Sequence, residues 1–169
     1  QAAVAGTSDI PILGTAVTDY ATALDIDDWT GTVGGNVSGT SDCAPLDQHA
    51  AMILELVPEA KTVGMLYCSA EPNSEYQVNA VTEALKKLNP DLEITNYTFA
   101  DSNDISSVAT SATECDVVYI PTDNTAAANT EAIANVVLPA KVPVITGEEG
   151  LCSGCGIATL TISYYDIGY

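Results

Sequence analysis

Thr62-Val63-Gly64-Met65-Leu66-Tyr67 is an apolar run without polar alternation, and Asn73-Ser74 opens a stretch in which Val78, Val81, Ala84, Leu85 and Leu88 recur on one helical face. A short apolar run between turn residues reads as a strand buried on both faces. Asn-Ser ahead of the periodic stretch reads as a helix N-cap, and the helix is expected to run to about Leu88. The same unit repeats in both directions along the chain. Residues 45–57 place Leu46, Ala50, Ile53, Leu54 and Val57 at helical spacing, with Pro45 suited to the first turn and Pro58 stopping the helix. Residues 92–99 alternate as a strand, and residues 101–103 cap a helix from Asp104 to about Ala112. Residues 116–120 read as a third strand, Asp123 or Asn124 caps a helix to Val137, and residues 142–146 form a fourth strand. Buried strands separated by helices require a parallel sheet covered on both faces. The predicted fold class is therefore α/β, a doubly wound, mostly parallel, Rossmann-like sheet over residues 36–160. Upstream, residues 10–17 form a short apolar strand that Thr18-Asp19-Tyr20 ends with a turn, residues 25–35 are a polar, Gly-rich link, and residues 36–40 are extended.

The chain has 169 residues, enough for one domain or for one lobe with part of a second. Hydrophobic residues make up 47% and charged residues 16%, which supports a core and excludes intrinsic disorder. Against 23 acidic residues stand 4 basic ones, Lys61, Lys86, Lys87 and Lys141, for a formal net charge of −19. Such a chain is repelled by phosphate backbones, so no nucleic acid partner is expected. No apolar run approaches the roughly 20 residues of a spanning helix. The opening Gln1-Ala2-Ala3-Val4-Ala5 reads as the middle of a helix and carries no signal peptide, so the chain is expected to be a piece of a longer protein.

Ligands of doubly wound sheets bind outside the carboxyl ends of the strands. The loops to watch are thus 68–74, 100–104, 121–125 and 147–150. At the first, Asn73 and Ser74 beside a helix N-terminus either hold a carboxylate or only cap the helix. At the third, Asp123 either takes a ligand ammonium or only caps its helix. At the fourth, Glu148 and Glu149 read first as a solvated loop. Trp29 is read as surface, and the only histidine, His49, as solvated. Tyr67 and Tyr119 are read as core. The five cysteines, Cys43, Cys68, Cys115, Cys152 and Cys155, include one C-x-x-C pair at 152 and 155. Without further ligands it makes no zinc site, and its Gly- and Ser-rich surroundings favour plain loop cysteines over a local disulfide or a redox pair. No G-x-S-x-G elbow, nucleotide loop or second histidine is present to serve catalysis.

Several stretches, in order, carry a resemblance. Ile10-Pro11-Ile12-Leu13 with Ala16-Val17-Thr18-Asp19, then Gly34-Gly35-Asn36-Val37-Ser38-Gly39-Thr40-Ser41, is similar to the hinge-crossing signature of ABC-transporter substrate-binding proteins, in the subfamily with tryptophan- and tyrosine-binding members. Leu56-Val57-Pro58-Glu59-Ala60-Lys61 with residues 63–67, Pro72-Asn73-Ser74, Ser102-Asn103-Asp104, residues 119–124, Val142-Pro143-Val144 with Glu148-Glu149-Gly150, and Tyr164-Tyr165-Asp166-Ile167-Gly168 continue it in one register. The chain departs from the pattern at Tyr20, where the family usually has proline, in the link of residues 24–33, and in carrying Cys152 and Cys155.

The resemblance implies two periplasmic-binding-protein-like α/β lobes joined by a hinge, with the ligand closed between them. Residues 1–35 would be a partial first lobe and hinge link, residues 36–160 the second lobe, and residues 161–169 a return segment towards the first. It implies an extracytoplasmic solute-binding component, membrane-anchored in the parent protein, that delivers an aromatic amino acid to an ABC permease. Binding alone is needed, so no enzyme activity, cofactor or metal is expected. Asp19, Asp123 and Glu148 are expected to face the ligand ammonium, and Asn73, Ser74 and Asn124 its carboxylate. A nucleoside, purine or sugar ligand is the alternative of the same class, and a C-x-x-C thiol oxidoreductase the enzyme alternative. A phosphoacceptor signalling domain is set aside, because Lys141 precedes its strand rather than following it.

Overall fold

Ile12–Val17 (β1) and Val37–Ser41 (β2) lie side by side in parallel, with Gly14 paired to Gly39. The pairing of two glycines has a physical cause. The Tyr20 hydroxyl donates to the Gly14 carbonyl at 3.0 Å, and a Cβ on Gly39 would collide with that carbonyl and with the hydroxyl itself. Tyr20, the departure from the family pattern, is thus packed onto the strand pair. It opens a short helix, Tyr20–Leu24 (α2), where the sequence suggests only a turn, and Asp19 caps it through Thr22 N at 2.7 Å. With helix Ala2–Gly6 (α1), these elements surround an apolar cavity of about 120 Å³ lined by Val4, Ile12, Val17, Tyr20, Leu24 and Val37. This computed structural model describes residues 2–169, in two units: the chain up to Cys43 together with Ile162–Tyr169, and Ala44–Thr161. Residues 36–43, assigned from sequence to the second lobe, lie with the first unit, because β2 pairs with β1.

The second unit carries the expected sheet. Leu46–Leu56 (α3) precedes Thr62–Cys68 (β3), Pro72–Leu88 (α4), Glu93–Phe99 (β4), Ile105–Ala112 (α5), Val117–Ile120 (β5), Asn124–Ala127 (α6), Thr130–Ala140 (α7), Val144–Thr146 (β6), Glu149–Cys155 (α8) and Ala158–Thr159 (β7). All pairings are parallel, in the order β4-β3-β5-β6-β7. The apolar runs are buried from both sides, as their lack of alternation requires: Val63 through Cys68 and Val117 through Ile120 are buried without a break. Leu66, Cys68, Val118, Ile120 and Val144 pack with α5, α7 and α8 in one cluster. Side chains alternate along a strand, so Met65, Tyr67 and Tyr119 point to the opposite face, where α3 and α4 pack together. The last helix, Tyr164–Gly168 (α9), belongs to the first unit, where the Tyr164 hydroxyl donates to the Asp42 carboxylate at 3.3 Å. No helix among the described residues is long and apolar enough to cross a membrane.

The helix expected to be capped at Asn73-Ser74 begins at Pro72, because proline suits the first helical position and Glu71 takes the N-cap place. The helix expected from Asp123 to Val137 is two, interrupted at residues 128–129. The cysteines of the C-x-x-C pair are not in a loop but on α8, with Cys155 buried.

His49, expected in solvent, is fully buried. Its Nε2 lies 2.6 Å from the Leu160 carbonyl and its Nδ1 2.9 Å from the Tyr119 hydroxyl. A carbonyl only accepts, so Nε2 carries the proton and Nδ1 accepts from Tyr119. Burial pushes the imidazole below its ordinary value of 6.5, against the opposing pull of the Leu160 carbonyl and Asp47. Between that lowered value and 6.5 the unfolded chain binds a proton that the folded chain refuses, so stability is full above 6.5 and falls as pH drops through it. We expect His49→Phe to cost about 1–3 kcal/mol by removing the bonds that His49 makes with the Leu160 carbonyl and the Tyr119 hydroxyl. It should also remove the loss of stability below pH 6.5 that His49 supplies. Thermal melts of both proteins on either side of pH 6.5 check this, and parallel curves would contradict it.

Candidate functional site

β3 and β5 are neighbours in the sheet, and their chains leave towards opposite faces, α4 to one side and α6 with α7 to the other. The crevice outside their carboxyl ends is the topological switch point, the usual binding position of an open α/β sheet. It is built from residues 68–74 and 121–126.

Two carboxylates cross it in opposite directions. Asp123, from the β5 side, accepts through Oδ2 from Cys68 N at 2.7 Å and Ser74 Oγ at 2.7 Å, and through Oδ1 from Ala126 N at 2.8 Å. Glu71, from the β3 side, accepts through Oε2 from Asn124 N at 3.0 Å and Asn124 Nδ2 at 2.8 Å, and through Oε1 from Thr125 N at 2.8 Å and Thr125 Oγ1 at 2.7 Å. The first three N–H groups of α6 are thus held by carboxylates, the favoured partners of a helix N-terminus. A third tie comes from Gln77 on α4, whose amide exchanges bonds with both backbone groups of Thr122 at 3.1 and 3.2 Å. Asn73 Nδ2 adds a bond to the Thr122 carbonyl at 3.0 Å.

Burial raises the Asp123 carboxyl above its ordinary range, with Glu71 adding to the effect and the Ala126, Cys68 and Ser74 bonds opposing it. For Glu71, burial also pushes upwards, but the Asn124 and Thr125 bonds together outweigh it and hold the carboxyl low. The described ion pair, Lys87 with Glu83 at 4.0 Å, lies on the exposed part of α4. Hydrogen bonds rather than cations therefore stabilise these carboxylates.

Of the six residues singled out from sequence, the fold brings four together here: Asn73, Ser74, Asp123 and Asn124. Asp123 is 1% exposed and Ser74 0%, so they form the inner wall, while Asn73 and Asn124 reach the surface. Glu148 sits at the end of the next strand, β6, and caps α8 through Gly150 N and Leu151 N. That strand end is drawn against the crevice by Thr122, whose hydroxyl donates to the Gly147 carbonyl at 3.3 Å. Gly147 is required there, since a Cβ would meet Thr122 N at 2.5 Å. Asp19 lies in the other unit as the α2 cap. All three singled-out carboxylates therefore serve as helix N-caps, which was one of the two roles open to Asp123.

Glu71, Gln77, Thr122 and Thr125 were not singled out. An acid before proline at a helix start reads as a cap for its own helix, and Glu71 does occupy that position. Its carboxylate makes no cap bond to α4 and turns instead to the start of α6, 53 positions away. On α8, Cys155 Sγ donates to the Leu151 carbonyl at 3.4 Å, and burial, with Cys152 and Glu148 adding to it, pushes its thiol up to about 11. A thiol so raised is the opposite of an activated redox nucleophile.

Residues 1–169 match the family described as ABC transporter substrate binding protein. The chain is 36% identical over 170 residues to a tyrosine-binding protein of Clostridioides difficile (strain R20291), covering 100% of this chain and 48% of that one. It superposes with a TM-score of 0.88 on the crystal structure of an ABC domain in complex with L-Trp from Streptococcus pneumoniae, at 31% identity, covering 98% of this chain and 57% of the other. A conserved domain protein from Vibrio cholerae matches with the same TM-score of 0.88, at 32% identity, covering 99% of this chain and 56% of that one. The sheet with helices on both faces is that of a periplasmic-binding-protein-like fold, and the chain belongs to the ABC transporter substrate-binding protein family. It spans about half the length of the curated relative that it matches.

Removing Asp123 leaves Cys68 N, Ala126 N and the Ser74 hydroxyl without their acceptor in a buried place. We expect Asp123→Ala to cost about 3 kcal/mol of stability and Ser74→Ala about 2 kcal/mol, with the double variant little worse than Asp123→Ala alone. Denaturant unfolding of the three variants measures this. Additive losses would show that the two residues do not share one bond.

Proposed function

We propose that the whole protein carrying this chain is the extracytoplasmic solute-binding component of an ABC importer. It binds an aromatic amino acid, tyrosine or tryptophan, between its lobes and hands it to a membrane permease, without catalysing a reaction. The observation that carries the reading is the meeting of Asn73, Ser74, Asp123 and Asn124 at the switch point, in a chain whose relatives include one named for tyrosine binding and one solved with L-Trp.

The polar contacts to the ligand fall on the exposed members. Asn124 and Asn73 each commit Nδ2 inward, to the Glu71 carboxylate and the Thr122 carbonyl. Both partners only accept, so the end left to each side chain is Oδ1, an acceptor for an ammonium rather than the donor to the carboxylate expected from sequence. No side chain caps the start of α4, which leaves the Asn73 N–H in its first turn to meet a carboxylate. Asp123 and Ser74 support these groups from behind. A carboxylate has about four lone-pair sites, so Asp19 and Glu148 retain acceptor capacity beyond their cap bonds and remain in the proposed site.

Native mass spectrometry of the full-length protein, followed by calorimetry with L-tyrosine, L-tryptophan, a nucleoside and a hexose, tests the reading. An aromatic amino acid is expected to bind, and Asn124→Ala to weaken it by about 1.5–3 kcal/mol, the scale of a hydrogen bond to a charged group. Binding of the nucleoside or the sugar in its place would refute the amino-acid assignment.

A further inference from the structure

Glu71 stands at the N-cap position of α4 yet gives that helix no side-chain bond. Both of its oxygens are spent across the crevice, on two consecutive residues, and each residue is gripped at its backbone N–H and at its side chain. This does more than join two loops. Asn124 is exposed, and an exposed asparagine turns its amide freely, offering either oxygen or NH₂ to its surroundings. Here a carboxylate that can only accept stands 2.8 Å from one end of the amide, so that end must be Nδ2. The other end, Oδ1, is thereby fixed outward.

We propose that Glu71 is a positioning residue for ligand recognition: through Asn124 it sets the polarity of the crevice, locking an oxygen rather than an NH₂ group in the place that meets the ligand ammonium. The inference rests on the amino-acid reading above and adds to it a residue that does not itself touch the ligand. An NH₂ group in the same place would set donor against donor and select for a ligand without the ammonium. Fixing the amide before the ligand arrives also removes the cost of ordering it on binding. Thr125, held by the other Glu71 oxygen, keeps the carboxylate itself from swinging away.

The test uses the full-length protein and two probes, L-tyrosine and its deaminated analogue 3-(4-hydroxyphenyl)propanoate. Glu71→Met keeps the length of the side chain and removes all of its bonds to Asn124 and Thr125. It should weaken L-tyrosine roughly 3–10-fold, the cost of ordering a freed side chain on binding, and leave the analogue within about twofold. Equal losses for the two probes would overturn the proposal by reducing Glu71 to a general support of the fold. Should the unaltered protein bind neither L-tyrosine nor L-tryptophan, the amino-acid reading fails. The positioning claim is then decided by the Asn124 side-chain amide resonances. A downfield, slowly exchanging Nδ2 signal that is lost in Glu71→Met sustains the claim, and identical spectra of the two proteins overturn it.

Discussion

The exchange of two carboxylates across the ends of β3 and β5 is the constraint on which the crevice depends. Asp123 reaches from the β5 loop to Cys68 N and Ser74 Oγ, and Glu71 reaches from the β3 loop to Asn124 and Thr125. Parallel strands have no hairpin to join their carboxyl ends, and the two chains part there towards opposite faces of the sheet. Side chains must therefore supply the connection. Carboxylates withdrawn from water are costly without donors, but buried Asp123 and half-buried Glu71 are both supplied, in part by the backbone N–H groups at the start of α6 that have no partner within their helix. One set of bonds thus satisfies a helix terminus, ties two loops and fixes the exposed amide of Asn124.

This accounts for how an acidic chain with almost no cations builds a polar site. The carboxylates are consumed as helix caps: Asp19 on α2, Asp123 and Glu71 on α6, Glu148 on α8. A carboxylate committed in this way has its direction set by the fold, which suits recognition by shape and hydrogen bonding. In the first unit a different solution fills the equivalent need. The Tyr20 ring and hydroxyl pack onto Gly14 and Gly39 and so hold the strand pair.

The sheet was legible in the sequence because its signals are local. An unbroken apolar run such as residues 62–67 has one stable use, and the cap Asp123 stands next to the helix it starts. The loops at the carboxyl ends of those strands followed from the same reading. What was not legible depends on partners distant in sequence. Glu71 looked like a local cap, and only the fold brings Asn124 within reach. His49 was judged by residue type, although it lies three positions after Leu46 and four before Ile53, on the buried stripe of α3. Its pattern was that of a core residue, and the Tyr119 hydroxyl and Leu160 carbonyl that make burial tolerable come from far along the chain. The C-x-x-C pair misled through composition: Gly and Ser around it suggested a loop, but Glu148 caps a helix there and Leu151 and Cys155 anchor it to the core.

The most direct test of the account is a crystal structure of the full-length protein grown with L-tyrosine or L-tryptophan. The account predicts the ligand at the switch point between the ends of β3 and β5, its ammonium within hydrogen-bond distance of Asn124 Oδ1, and the Glu71 carboxylate still holding Asn124 Nδ2. A ligand bound away from residues 68–74 and 121–126, or one that meets Asn124 through its NH₂ group, would contradict it.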